Sequence, residues 1–178
     1  MKLISSLSAL ALLALTGAAS AQNPEVREIG DYAVRCMPVA NVSPCDMFTA
    51  TVNQQTGQRF VSMSISFNPS ANRFIMQISL PLGVLIEKGA VIETSAFNTE
   101  AMLIRRCDRT NCYVEALAPQ ALIDGLRKAN PQGQIKMFGD DDKEYKYQIS
   151  FKGFSEAADY MIEQNRAKAK APAAGAAQ

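Results

Sequence analysis

The stretch from Phe60 to Thr94 constrains this chain more than any other. Val61, Met63, Ile65 and Phe67 alternate with Ser62, Ser64 and Ser66, and after the break NPSAN the alternation resumes at Phe74, Met76, Ile78 and Leu80. A period of two predicts half-buried strands with one apolar and one wetted face. The break is rich in residues that bond their own backbone, so the two runs predict a hairpin. The rest of the chain is then expected to cover its apolar face.

Residues 1–21 read as a signal peptide. A lone Lys2 precedes an apolar run from Leu3 to Ala19, and Ala19-Ser20-Ala21 supplies the small residues that a signal peptidase requires, with cleavage expected after Ala21. Ser5, Ser6 and Ser8 interrupt the run, which is too short for a membrane anchor, and Ala18 stands where a lipid-anchoring cysteine would. No later stretch is apolar enough to span a membrane, so a periplasmic or secreted product is expected. The chain carries 18 basic and 17 acidic residues, equal once Lys2 is removed. That balance argues against a nucleic-acid partner or a polybasic membrane binder.

Four cysteines follow: Cys36, Cys45, Cys107 and Cys112. In an exported chain an even count reads as disulfides, and of the three connectivities the one with two local bridges, Cys36 to Cys45 and Cys107 to Cys112, needs the least rearrangement. Closing such small rings would stabilise the fold by about 2–3 kcal/mol each. Without a CxxC, and with no histidine anywhere in the sequence, zinc and thioredoxin-like chemistry are disfavoured.

The pattern along the chain predicts a flexible N-terminal segment over 22–29, a single domain over 30–166 and a disordered Ala/Lys/Pro tail over 167–178. Tyr32, Val34 and Cys36 share one side of a strand. Met37 to Pro44 reads as a loop, and after it Phe48, Ala50 and Val52 are expected to point inward. Val84 to Ile86 and Val91 to Ala96 read as strands about the turn Glu87-Lys88-Gly89, and Ala101 to Arg106 as another. Cys107 to Cys112 reads as a stapled hairpin tip from which Tyr113 to Leu117 returns. A short helix is expected within Ala118 to Asn130, weakened by Gly125, and strands over Ile135 to Phe138 and Tyr145 to Phe151. Ser155 reads as the N-cap of a last helix running to Arg166. The fold class expected is mainly β: one antiparallel β-sandwich of nine or ten strands, with a short helix and a C-terminal helix docked on its outside.

The lack of histidine removes the Ser/His and Cys/His nucleophile arrangements together. Gly153-Phe154-Ser155-Glu156-Ala157 falls one glycine short of a nucleophile elbow and supplies no base. Asp140, Asp141 and Asp142 lack the spacing of a calcium loop and read as a solvated turn. The scattered methionines suit core filling better than copper binding. No cofactor, metal or catalytic residue is expected. Arg105, Arg106 and Arg109 lie around the second cysteine pair and form the candidate contact surface, because guanidinium groups suit carboxylate or phosphate partners.

Several pieces in order resemble the invasion-associated locus B family of exported alpha-proteobacterial proteins. They are Gly30-Asp31-Tyr32 with Arg35-Cys36, Pro44-Cys45-Asp46-Met47-Phe48, Leu80-Pro81-Leu82-Gly83-Val84 with Lys88-Gly89, Arg105-Arg106-Cys107 with Cys112-Tyr113-Val114, and Lys152-Gly153-Phe154. Tyr32 departs from the tryptophan often found there. The resemblance implies a secreted or periplasmic β-rich domain with paired cysteines and no known catalytic residues. The function expected is therefore a non-enzymatic binding module of the periplasm or cell envelope, with a part in host association and an unidentified envelope or host protein as partner. The rival is a periplasmic hydrolase using Ser/Lys or carboxylate chemistry. The loop Met37 to Pro44 and the tip Cys107 to Cys112 are the expected recognition segments.

Overall fold

A computed structural model describes residues 23–169 apart from 39, 40, 53, 54, 56, 58 and 130. The expected signal peptide, and the expected tail beyond residue 169, lie outside the described residues. Ten strands and two α-helices are present among them: β1 (Glu25–Ile29), β2 (Tyr32–Cys36), β3 (Cys45–Val52), β4 (Arg59–Asn68), β5 (Arg73–Leu80), β6 (Ala90–Glu93), β7 (Ile104–Cys107), β8 (Cys112–Ala118), α1 (Gln120–Lys128), β9 (Gln132–Phe138), β10 (Glu144–Ser150) and α2 (Phe154–Lys168). They form a seven-stranded sheet in the order β1-β2-β3-β4-β5-β8-β7 and a three-stranded sheet in the order β10-β9-β6. Every strand pair in both is antiparallel.

The hairpin of β4 and β5 is the middle of the large sheet, with Met63 opposite Ile78 and Ile65 opposite Met76. All eight alternating apolar residues of the two strands are buried, and they lie on one face. β10 packs on β3 and β4 from the small sheet, and α2 packs on β1 to β4. Phe154, Ala157, Ala158 and Met161 of α2 are buried, and Phe154 meets the ring of Tyr32 edge-on at 5.7 Å. The C-terminal helix is therefore part of the layer that closes the core, not an external addition. The outward face of the small sheet is a charge ladder, where Lys136 and Lys146 lie 2.8 and 3.2 Å from Glu93.

Five local expectations need correction. Glu25–Ile29 is an edge strand paired along its length with β2, so residues 25–29 are not a loose lead-in; only Ile29 is buried, and the charged remainder gives no apolar pattern to read. In β3 the phase is opposite to that expected: Cys45, Met47 and Thr49 are buried, Phe48 and Ala50 are half-buried and Val52 is exposed. Cys45 lies directly opposite Cys36, whose side chain faces inward, and this fixes the alternation of everything after it. Val84 makes only an isolated bridge to Gly139, and Ile86–Lys88 is a turn of 3-10 helix rather than a strand end. Ser155 is not the cap of α2, because the helix begins one residue earlier, after Gly153 at φ 81°. It also continues to Lys168, into the segment expected to be tail.

The left-handed backbone at Gly153 has a long-range cause. A Cβ on Gly153 would lie 2.8 Å from the Cα of Gly30, and one on Gly30, itself at φ 59°, would lie 2.4 Å from the carbonyl oxygen of Lys152. The turn between β1 and β2 thus crosses the turn between β10 and α2 at backbone contact. The Asp31 amide donates to the Lys152 carbonyl at 3.0 Å, and the Tyr32 hydroxyl to that of Ser150 at 2.9 Å. Two of the short motifs that carry the family resemblance are one contact in space.

Candidate functional site

Both cysteine pairs are joined: Cys36 to Cys45 and Cys107 to Cys112, with Cα atoms 4.1 and 3.9 Å apart. Each links residues directly opposite one another in neighbouring strands. The amide of Met37 donates to the Pro44 carbonyl and that of Asp108 to Asn111, which identifies both pairs as non-hydrogen-bonded positions of their ladders. These are the positions where antiparallel strands bring opposed side chains closest. The two differ in surroundings. Cys36 and Cys45 are both buried near α2, whereas Cys112 is buried and Cys107 is exposed.

The second pair closes a hairpin tip that one carboxylate organises. Asp108 Oδ1 accepts from the Thr110 amide at 2.7 Å, the Thr110 hydroxyl at 2.8 Å and the Asn111 amide at 2.9 Å. Its Oδ2 accepts from the Tyr113 hydroxyl at 2.8 Å. These donors, the Thr110 amide first, hold the Asp108 carboxyl well below the usual carboxylate range.

The three arginines of the expected contact surface are not equivalent. Arg106 lies on the outer face of the large sheet, its Nε 3.0 Å from Glu115 Oε1 and its guanidinium carbon 4.1 Å above the ring of Tyr113. Glu115 also accepts from Gln77 Nε2 at 3.0 Å, so Arg106 is held within the protein. Arg105 sits at the bulge where β7 slips against β8, and Arg109 lies in the tip. Both are exposed, and neither has a carboxylate partner among the described residues. Of the three, Arg105 and Arg109 are the ones without a carboxylate partner among the described residues.

At the other side of the same outer face a matching arrangement was missed. Arg35 forms a two-pronged pair with Asp46, its Nε 3.0 Å from Oδ1, and its guanidinium carbon stands 4.2 Å above the ring of Phe48. Ser64 donates its hydroxyl to Asp46 Oδ2 at 2.6 Å. Between the two arginines the face is floored by Ser62, Ser64, Ser66 and Ser79, the polar half of the alternation. The inward residues Cys36 and Cys45 and the outward Arg35 and Asp46 belong to one motif read on two faces.

A second feature missed is an apolar cleft of about 640 Å³ between α1, residues 97–102 and the adjoining β5 and β8. Met76, Phe97, Met102, Ala116 and Leu122 line it, and Glu100 is its one charged residue. Gly125 makes room for it: a Cβ there would meet the Phe97 ring at 2.9 Å, so the glycine expected only to weaken α1 seats an aromatic wall. The cleft offers surface for binding and no convergent groups for chemistry.

Three of the other sequence candidates, Ser155, Asp141 and Asp142, are occupied locally. The Ser155 hydroxyl lies 3.4 Å from the Arg127 carbonyl. Asp141 accepts from Lys143 and Tyr145, and Asp142 pairs with Lys88. No group of three or more potential metal ligands occurs among the described residues, and no helix among them is long and apolar enough to cross a membrane.

The chain's sequence matches the profile of the Invasion associated locus B (IalB) protein family over residues 33–161, more than half of its 178 residues. No curated protein matches it. Among solved structures it is similar to the crystal structure of invasion associated protein B from Bartonella henselae, with a TM-score of 0.69 and 19% identity over 80% of this chain and 99% of that one. Shared architecture is what that likeness conveys, while the profile match runs from the second residue of β2 to the middle of α2 and takes in both disulfides and the Arg35-Asp46 and Arg106-Glu115 pairs. The chain belongs to the invasion-associated locus B family.

Proposed function

We propose that the protein is an exported, non-enzymatic binding module of the bacterial periplasm or cell envelope, which meets an acidic partner through the tip between β7 and β8. The supporting observation is the state of that tip. A cross-strand disulfide and four hydrogen bonds to Asp108 fix a short loop that carries Arg109, with Arg105 at the bulge of β7 just before it, and both stand exposed without a carboxylate partner among the described residues. A rigid loop loses little freedom on binding, and guanidinium groups match carboxylates and phosphates in two-pronged geometry. A part in host association is carried over from the family's description and belongs to the same proposal.

The test uses the mature chain as bait against envelope extracts of its own bacterium and against host-cell surface proteins, beside an Arg105→Ala/Arg109→Ala variant. Loss of the captured partner in the variant is expected, with Arg106→Ala affecting folding stability more than capture. Equal capture by all three proteins would remove the tip as the contact surface. Export is tested separately, by N-terminal sequencing of the protein recovered from the periplasm, where a start at Gln22 is expected.

A further inference from the structure

The two disulfides are built for different fates. Cys36 and Cys45 are both buried, and the Asn165 side chain of α2 is bonded to the backbone of Cys45, so that pair is sheltered from a reductant. The Cys107 end of the other pair faces solvent. Opening it would not dissolve its hairpin, because the tip is also held by the four hydrogen bonds to Asp108 and by the Arg106-Glu115 pair. The two sulfurs would stay opposite one another in register.

We propose that Cys107–Cys112 is a thiol–disulfide exchange site for small anionic thiols of the glutathione class. The attacking thiolate forms a bond to Sγ of Cys107, the Cys107–Cys112 bond breaks, and Cys112 departs as a thiolate, leaving a mixed disulfide on Cys107 and no net change in oxidation state. Attack falls on Cys107 because Cys112 is only 3% exposed. Return attack by the retained Cys112 thiolate expels the small thiol and restores the pair. Anionic thiols are favoured because Arg105 and Arg109 lie two residues to either side of Cys107, exposed and unneutralised. The nearby carboxylate of Asp108 has its oxygens filled by local donors. Electropositive, exposed surroundings are those in which cysteine sulfur exchanges readily.

The site rests on the export reading only for its starting state, and the mass of the unreacted protein checks that first. The mature protein is then treated with excess glutathione, 2-mercaptoethanol or cysteamine, quenched with acid, alkylated and mapped by mass spectrometry over time. The adduct is expected on Cys107, with Cys36–Cys45 still closed and the near-ultraviolet dichroism unchanged. Arg105→Ala/Arg109→Ala should slow glutathione on the order of tenfold at low salt while leaving 2-mercaptoethanol unaffected. In 1 M salt, where screening acts within about 3 Å, that difference should vanish. Adduct on Cys112, simultaneous opening of both disulfides, or equal glutathione rates for wild type and variant would overturn the proposal. Free thiols in the unreacted exported protein would instead count against the compartment; the exchange is then run from oxidised glutathione and must still place its adduct on Cys107.

Discussion

Asn165 of α2 stands in for a missing strand beside Cys45 of β3. The Cys45 amide donates to Asn165 Oδ1 at 2.9 Å, and Asn165 Nδ2 donates back to the Cys45 carbonyl at 2.8 Å. This is the pair of bonds an antiparallel neighbour would make, and the register of β3 with β4 begins only at the next residue, Asp46 opposite Ser66. Asn165 is fully buried, 120 residues from its partner. One carboxamide therefore ends the ladder, satisfies the backbone of a disulfide cysteine and fixes the last turns of α2.

Replacing Asn165 by leucine strands two buried backbone groups. At roughly 1–3 kcal/mol for each, a loss of about 2–6 kcal/mol is expected in urea unfolding. Asn165→Asp tests the same geometry by charge. An ionised carboxylate can accept from the Cys45 amide but repels its carbonyl, and burial also disfavours the charge, so the folded-state pKa rises above the unfolded value of about 3.9. With that sign the aspartate variant binds more protons when folded, and it loses stability as pH rises from about 4 through its raised pKa. Its deficit against wild type should thus be smaller at pH 4 than at pH 7. Equal deficits at the two pH values would contradict the two-way bond.

The crossing of Gly30 and Gly153 predicts a coupled pair of substitutions. Alanine at either would occupy a left-handed backbone and press on the other turn, so each should cost more than about 2 kcal/mol. Because both remove room at one contact, the double variant should fall short of the sum of the singles. Gly57 provides the control: it has φ 68° but open space around it, so Gly57→Ala should cost only the backbone term of about 1–2 kcal/mol. Thermal melts of the four variants decide the matter, and additivity at Gly30 and Gly153 would count against backbone contact there.

What could be read from the sequence was what repeats locally. β4 and β5 announce themselves because every second residue is apolar for the length of the strand. β1 does not, since an edge strand with one buried residue is defined by its partner and not by its own pattern. Hydrophobicity misassigned β3 because Phe48 outranks Thr49, yet the information needed was present: once Cys36 faces inward, a directly opposed Cys45 must do so too. Phe48 tolerates the outer face because the guanidinium carbons of Arg35 and Arg59 lie 4.2 and 5.6 Å from its ring. The Asn165 bond, the glycine crossing and the apolar cleft join residues far apart in the chain, and no local period encodes them.

The phase of β3 makes an ordering prediction. Met47→Ala removes a fully buried side chain and should cost about 2–5 kcal/mol. Phe48→Ala removes a larger side chain from the half-wetted face and should cost less, about 1–2 kcal/mol, mostly through contact with the arginines above it. Chemical denaturation of both variants is the check. A larger loss at Phe48 than at Met47 would restore the opposite phase.

Tyr32 predicts how the fold fails in alkali. Its hydroxyl donates to the Ser150 carbonyl at 2.9 Å, and burial first, then the neighbouring charge of Asp31, pushes its ionisation far above the ordinary value near 10. A group whose folded pKa is raised contributes stability that is complete below the unfolded pKa and is lost as pH climbs beyond it, because the unfolded chain releases the proton first. Between pH 7 and 9 Tyr32→Phe should lose about 1 kcal/mol for the missing hydrogen bond. Above pH 10 wild type alone suffers the cost of retaining this proton, so the stability difference should shrink and then reverse. Parallel denaturation curves from pH 7 to 11.5, followed alongside tyrosinate absorbance at 295 nm on the order of minutes, would show it. A stability gap that stays constant across that range would mean that Tyr32 ionises as freely in the folded protein as in the unfolded chain.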